Sequence, residues 1–142
     1  MATANAATTY LENKLLSLIF KNNAGSFSTP GDSIYVGLAT AVSDAEAGSV
    51  TEATFGSYAR QQVTAANWTL ASSSADQQTI KNAANIEFPA STGTTNTVTH
   101  AFIVDAASSG NILFVGALDA SKTIATGDIF RINTNNLTIE LK

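Results

Sequence analysis

Apolar and polar positions alternate most cleanly over "SIYVGLAT", where Ile34, Val36 and Leu38 fall on one side and Tyr35, Gly37 and Ala39 on the other. A period of two is the signature of a strand with two distinct faces. The signal strengthens after Val98, where the apolar runs "VTHAFIVDA" and "NILFVGALDA" are joined by "ASSG"; this predicts a hairpin central in a sheet. "NIEFPAST" predicts a short strand with Ile86 and Phe88 inward, ended by Pro89, which has no N–H for a ladder. Two further strands are expected around residues 128–133 and 137–141, separated by Asn-rich turn residues.

A period near 3.6 occurs once. In "TTYLENKLLSLIFKNNAG" the residues Leu11, Leu15, Leu18 and Ile19 share a face, Thr9 with Glu12 suggests a capping box, and Asn22, Asn23 and Gly25 supply stop signals. The stripe predicts packing on the domain's own sheet, with Leu16 and Phe20 widening it toward a second surface. Residues 1–8 are small and polar and read as a flexible arm, leaving 9–142 as one β domain that begins with this helix.

The remaining segments are ambiguous by pattern. "AVSDAEAGSVTEATFGS", residues 41–57, is poor in large apolar residues and reads as a long exposed loop, the first place to look for a contact surface. Residues 71–84 read as a polar turn or loop. In "GSYARQQVTAANWTLAS", Tyr58, Arg60 and Gln62 alternate with Ala59, Gln61 and Val63, so neither face is a hydrophobic stripe and an edge or interface strand is expected. An arginine on such a strand most often pairs with a nearby carboxylate. The expected fold is mainly β: an antiparallel β-sandwich or jelly-roll-like barrel of about seven to eight short strands with one N-terminal amphipathic helix.

Composition sharpens this picture by exclusion. The polarity of the 142 residues comes from Thr, Ser, Asn and Gln more than from charge, since only 13% are charged, a bias suited to exposed strand faces. Seven basic against eleven acidic residues give a net charge of -4, and the basic residues are scattered, so neither nucleic acid nor an anionic membrane is an expected partner. Cysteine is absent, which removes disulfides, zinc-thiolate sites and thiol nucleophiles. The apolar run near Leu15 is far short of the ~20 residues that span a bilayer. Glu12 spoils it as a signal peptide, so a protein made in the cytosol without a targeting segment is expected.

No catalytic signature emerges. The single histidine, His100, lies inside an apolar strand without a GxSxG motif, where a structural role is the simpler reading than a triad base. Asp105, Asp119 and Glu87 could in principle form the carboxylate pair of a glycosidase, yet nothing marks them as a pair. Asp44, Glu46 and Glu52 lie close enough in sequence for a weak calcium site but not in an EF-hand spacing. Asn67 and Asn136 match glycosylation acceptors without a supporting secretion signal. No cofactor, metal or enzymatic activity is expected.

The segments "YLENKLLSLIF", "IYVGLAT", "IEFPAST", "VTHAFIVDAASSGNILFVGALD" and the late "SKTI..GD", with "YAR" between them, resemble a family of small virion structural proteins of tailed bacteriophages, generally tail-fibre-like, from about Tyr10 to Leu141. The resemblance implies a building block of the virion, assembled in the host cytoplasm, with no reaction to transfer. The chain lacks the heptads or repeats of a fibrous shaft. A compact acidic domain would suit a capsid decoration or cement protein binding the major capsid protein as a homo-oligomer, with a trimer as the first expectation. The alternative is a small tail or tail-fibre component, including a carbohydrate-binding sandwich with Tyr35, Tyr58 or Trp68 as a stacking platform. Interface candidates are Tyr58, Arg60 and Gln62 on the edge strand and Asp44, Glu46 and Glu52 in the preceding loop.

Overall fold

A computed structural model describes residues 6–23, 33–74 and 77–141. Within them one helix and eleven strands form three antiparallel sheets, so the mainly β class with an N-terminal helix holds, with more strands than the pattern suggests. The strands are β1 (Ala6–Ala7), β2 (Tyr35–Asp44), β3 (Ser49–Glu52), β4 (Gln61–Gln62), β5 (Trp68–Ser74), β6 (Gln77–Asn82), β7 (Ile86–Glu87), β8 (Asn96–Val104), β9 (Ile112–Ile124), β10 (Arg131–Ile132) and β11 (Thr138–Leu141), and the helix is α1 (Thr9–Phe20).

The large sheet runs β1-β9-β8-β2-β3, with β4 also paired to β2. The "ASSG" hairpin is its centre, as expected, because β8 and β9 carry the longest apolar runs. Val36 and Leu38 of β2 lie opposite Ile103 and Ala101 of β8 and point into the main core. There they meet Phe55, Val63, Ile86, Phe88 and Ile132, with Trp68, Leu137 and Ile139 at the margin. This core is therefore sandwiched between the large sheet and the smaller β10-β7 and β11-β6-β5 sheets.

The opposite face holds a second cluster around Ala39, Phe102, Val104 and Val115. Gly37 lies opposite Phe102 in the ladder, and the ring crosses the space a side chain would occupy: a Cβ on Gly37 would come 2.3 Å from its Cζ. Here glycine permits a close approach between a strand and a ring.

Two segments read as loops carry paired antiparallel strands. Residues 41–57 contain the end of β2 and all of β3, joined by a tight turn at which Gly48 takes φ +67 and Asp44 accepts the Ala47 N–H at 3.1 Å. Residues 71–84 contain most of the β5–β6 pair, in which Leu70 faces Ile80. Both escape pattern reading because Ser, Thr, Ala and Gln give no apolar alternation, while ladder hydrogen bonds demand none.

The helix starts one residue earlier than its sequence suggests. Thr8, buried to 1% exposure, is the N-cap: its Oγ1 accepts from Leu11 N at 3.3 Å and donates to Ile112 O at 2.7 Å. The Thr9–Glu12 box does not form, since only Thr8 is placed to cap the helix and bond β9 together. Of the expected arm, Ala6 and Ala7 pair with Val115 and Phe114; residues 1–5 lie outside the described residues. Asn22, at φ 50, ends the helix in the left-handed conformation expected of a stop residue, and Gly25 lies outside the described residues.

Core packing of the helix stops after its first turn. Tyr10 and Leu11 pack against the main core, whereas exposure reaches 39% at Leu15, 55% at Leu16, 61% at Ile19 and 76% at Phe20. Of the two uses expected for the stripe, packing on the domain's own sheet accounts only for its beginning.

Candidate functional site

The edge of β2 explains the polar segment at residues 58–62. Its second half pairs with β3 and its first two residues with β4, and between them the chain leaves the sheet. The O of Leu38 accepts from Ala53 N at 2.8 Å, while its N–H, left without a strand partner, donates to the Tyr58 hydroxyl at 3.0 Å. The Tyr58 O–H donates to Glu52 Oε1 at 2.8 Å. Arg60 completes the chain with a two-pronged pair, Nε to Oε1 at 2.8 Å and Nη2 to Oε2 at 2.9 Å, the geometry in which arginine outperforms lysine.

The remaining Arg60 nitrogen reaches across the sheet. Nη1 donates to Ala106 O at 2.9 Å and Ser109 O at 2.7 Å, both in the turn between β8 and β9. That turn is closed by Asp105, which accepts from the backbone and side chain of Asn111 at 2.7 and 3.1 Å. The guanidinium also stands 5.4 Å from the Phe102 ring centre. With 9% of its side chain exposed, Arg60 covers the second apolar cluster while tying β3, the 53–60 segment and the β8–β9 turn together.

The electrostatics follow from this geometry. Burial alone would raise the Glu52 carboxyl, but hydrogen bonds from Arg60 and Tyr58, with the Arg60 charge, hold it below the ordinary range. Burial, reinforced by the neighbouring carboxylate, pushes the Tyr58 phenol well up. Arg60 is raised chiefly by its bond to Glu52. At neutral pH the trio is carboxylate, neutral phenol and guanidinium, with its hydrogen-bonding capacity directed at other parts of the same chain.

The six interface candidates therefore divide. Glu52, Tyr58 and Arg60 converge into this internal network. Asp44 and Glu46 are exposed at the tip of the β2–β3 hairpin, where the Glu46 carbonyl accepts from Thr9 N at 2.8 Å, and Gln62 is exposed on β4. Because Glu52 is bound to Arg60, it does not join Asp44 and Glu46 around a cation, and no metal-holding cluster occurs among the described residues. The carboxylates weighed for glycoside cleavage have separate partners or none in common: Asp105 holds Asn111, Glu87 pairs with Arg131 across β7 and β10, and Asp119 is exposed on β9.

The three aromatic residues considered for a stacking platform are used within the fold. Tyr58 stacks parallel to Phe88, with ring centres 6.1 Å apart. Trp68 packs on the core and donates its N–H to Val63 O at 3.3 Å, and Tyr35 packs on the second cluster.

A second hub went unnoticed in the sequence. Asn82 is wholly buried; its Nδ2 donates to Ala84 O at 2.8 Å and Asn133 O at 2.9 Å, and its Oδ1 accepts from Leu137 N at 2.9 Å. It joins β6 to the turn before β11. An isolated Asn in "KNAAN" carries no signal of this, because all three partners are backbone groups and those of Asn133 and Leu137 lie 51 and 55 residues away.

Among the described residues, the buried polar side chains fasten parts of the β fold to one another and none is left without a partner. The particular class comes from comparison: residues 6–140 match the family described as Podophage GP4 fiber I protein gp80. The chain belongs to this family, a tail-fibre-type group of phage virion proteins. No curated protein matches it significantly.

Proposed function

We propose that the protein is a structural component of the phage tail-fibre apparatus, working through assembly with copies of itself and with other virion proteins. The observation that carries this reading is the family match over residues 6–140, which favours the tail alternative over capsid decoration. The internal network supports it physically, since it stiffens the strand edge behind the exposed residues Asp44, Glu46 and Gln62, leaving those three as candidate contacts at the surface. Tyr58 and Trp68 face the core, so a glycan platform built on them is not part of this reading.

The test is to separate purified particles into capsids and tails and to measure where the protein sediments and in how many copies. A small number of copies confined to tails is the expected result. Many copies on capsids would overturn the tail assignment.

A further inference from the structure

We propose that the open side of the sandwich, where β9 faces residues 130–140, is a binding site for a neutral sugar. The inference stands on the geometry of this cleft and does not depend on the assembly role proposed above. Between the two walls lies a space of about 830 Å³, within the ~300–1,000 Å³ of sites that take small ligands. Ile103 and Phe114 of the large sheet floor it, with Phe130, Ile132 and Leu137 from the facing side. Such a floor accepts the C–H face of a ring.

The rim selects the kind of ring. Two acidic groups, Asp119 and Glu140, stand against two basic ones, Lys122 and Arg131, the latter already paired with Glu87, so no field of a single sign is built to attract a polyanion or a cation. Between these charges stand two amides. Asn133 and Asn136 line the cleft, and their side chains have no hydrogen-bond partner among the described residues. Each amide offers a donor and an acceptor side by side, the complement of adjacent hydroxyls. A neutral polyhydroxylated ring satisfies both this rim and the apolar floor.

Both walls are shaped for this use. The turn carrying the two asparagines is held by the buried Asn82, whose side chain bonds Asn133 O and Leu137 N and whose carbonyl accepts from Asn135 N at 2.9 Å, while Asn85 Oδ1 accepts from Thr134 N at 2.9 Å. These bonds fix the main chain and leave the Asn133 and Asn136 amides to a ligand, which lowers the ordering cost of binding. On the opposite wall β9 bulges: one residue, Thr99, separates Val98 and His100 on β8, whereas four, residues 118–121, separate their partners Lys122 and Ala117 on β9. Asp119 and Ala120 of the bulge line the cleft. A bulge interrupts the ladder that an added strand would need, so this side of the sandwich favours a ligand held by side chains over strand addition.

The test uses the purified full chain, labelled for amide NMR, in which the Asn133 and Asn136 side chains give signals of their own. Titration with chitotriose, maltotriose and galactose to about 20 mM covers the roughly millimolar affinity expected of a small, open site. At least one of these sugars should move both side-chain amides together with the backbone signals of residues 118–122. Asn133→Ala and Asn136→Ala, at exposed turn positions, should each weaken that binding about fivefold with the rest of the spectrum in place. Ser121→Ala, in the bulge but off the cleft, should leave it unchanged. No shift with any of the sugars, shifts confined to another surface, or binding indifferent to both asparagine changes would each overturn the proposal. Concentration-dependent protection of the β9 amides without sugar, the mark of strand addition by a second copy, would overturn it as well. A protein located on tails that binds none of the sugars would overturn this inference alone, whereas a sugar-binding protein absent from virions would overturn the proposed function alone.

Discussion

Replacing Arg60 by alanine removes a bidentate ion pair, two hydrogen bonds to the β8–β9 turn and the cover over Phe102 in one step. Deleting one partner of a buried pair costs about 3–5 kcal/mol, largely because the other charge is left uncompensated. Glu52 keeps 31% of its side chain exposed, so water recovers part of that cost and the lower end applies. The carbonyls of Ala106 and Ser109 lose donors worth about 0.5–1.5 kcal/mol each, but Ser109 is exposed and can be rehydrated. The expected loss is about 3 kcal/mol. Arg60→Lys, which keeps the charge without the fork, should lose about half as much. Urea unfolding followed by the single tryptophan, Trp68, should show a lower midpoint with an unchanged slope. A double-mutant cycle with Glu52→Gln should return a coupling of about 1–2 kcal/mol. A loss below about 0.5 kcal/mol with no coupling, the behaviour of an exposed pair, would refute the argument.

Other outcomes follow from the same contacts. The Glu52 carboxyl lies below its ordinary value of 4.5 in the folded chain, so through that window the unfolded state binds more protons. Stability should fall as pH drops from above 4.5 through the depressed value; Glu52→Gln should flatten this part of a stability-versus-pH curve, and an unchanged curve would remove Glu52 as its cause. Gly37→Ala should cost at least about 1–3 kcal/mol through overpacking against Phe102, with part regained in the Gly37→Ala, Phe102→Leu double variant; a melting temperature unmoved by the single change would contradict the packing. Asn82→Asp preserves shape but turns a donor toward Ala84 and Asn133 into an acceptor. It should cost about 3 kcal/mol or more at neutral pH, less at acid pH relative to the parent when measured by thermal melting.

What the sequence disclosed depended on whether a residue's role was set nearby. The β8–β9 hairpin and the two faces of β2 were legible, because alternation and a short turn are local properties. The β2–β3 and β5–β6 strand pairs were not, since strands of small and polar residues are specified by backbone pairing that leaves no hydropathy pattern. Arg60 shows the intermediate case: its need for a carboxylate partner was legible from its chemistry, but Glu52 as that partner required knowing where β3 ends. Asn82 was invisible, as its partners are main-chain atoms of any residue type. The amphipathic stripe of α1 was plain, while the direction in which it points came only with the anchoring of Thr8.

That anchor has a consequence for the order in which the chain takes shape. Thr8 is bonded to Ile112, 104 residues away, and Ala6 and Ala7 pair with β9 as well. During synthesis α1 leaves the ribosome long before β9, the strand that seats it. Until β9 emerges the first turn of the helix has no seat, so long-range closure gates completion of the fold, and the nascent chain carries Tyr10 and Leu11 unpacked until then.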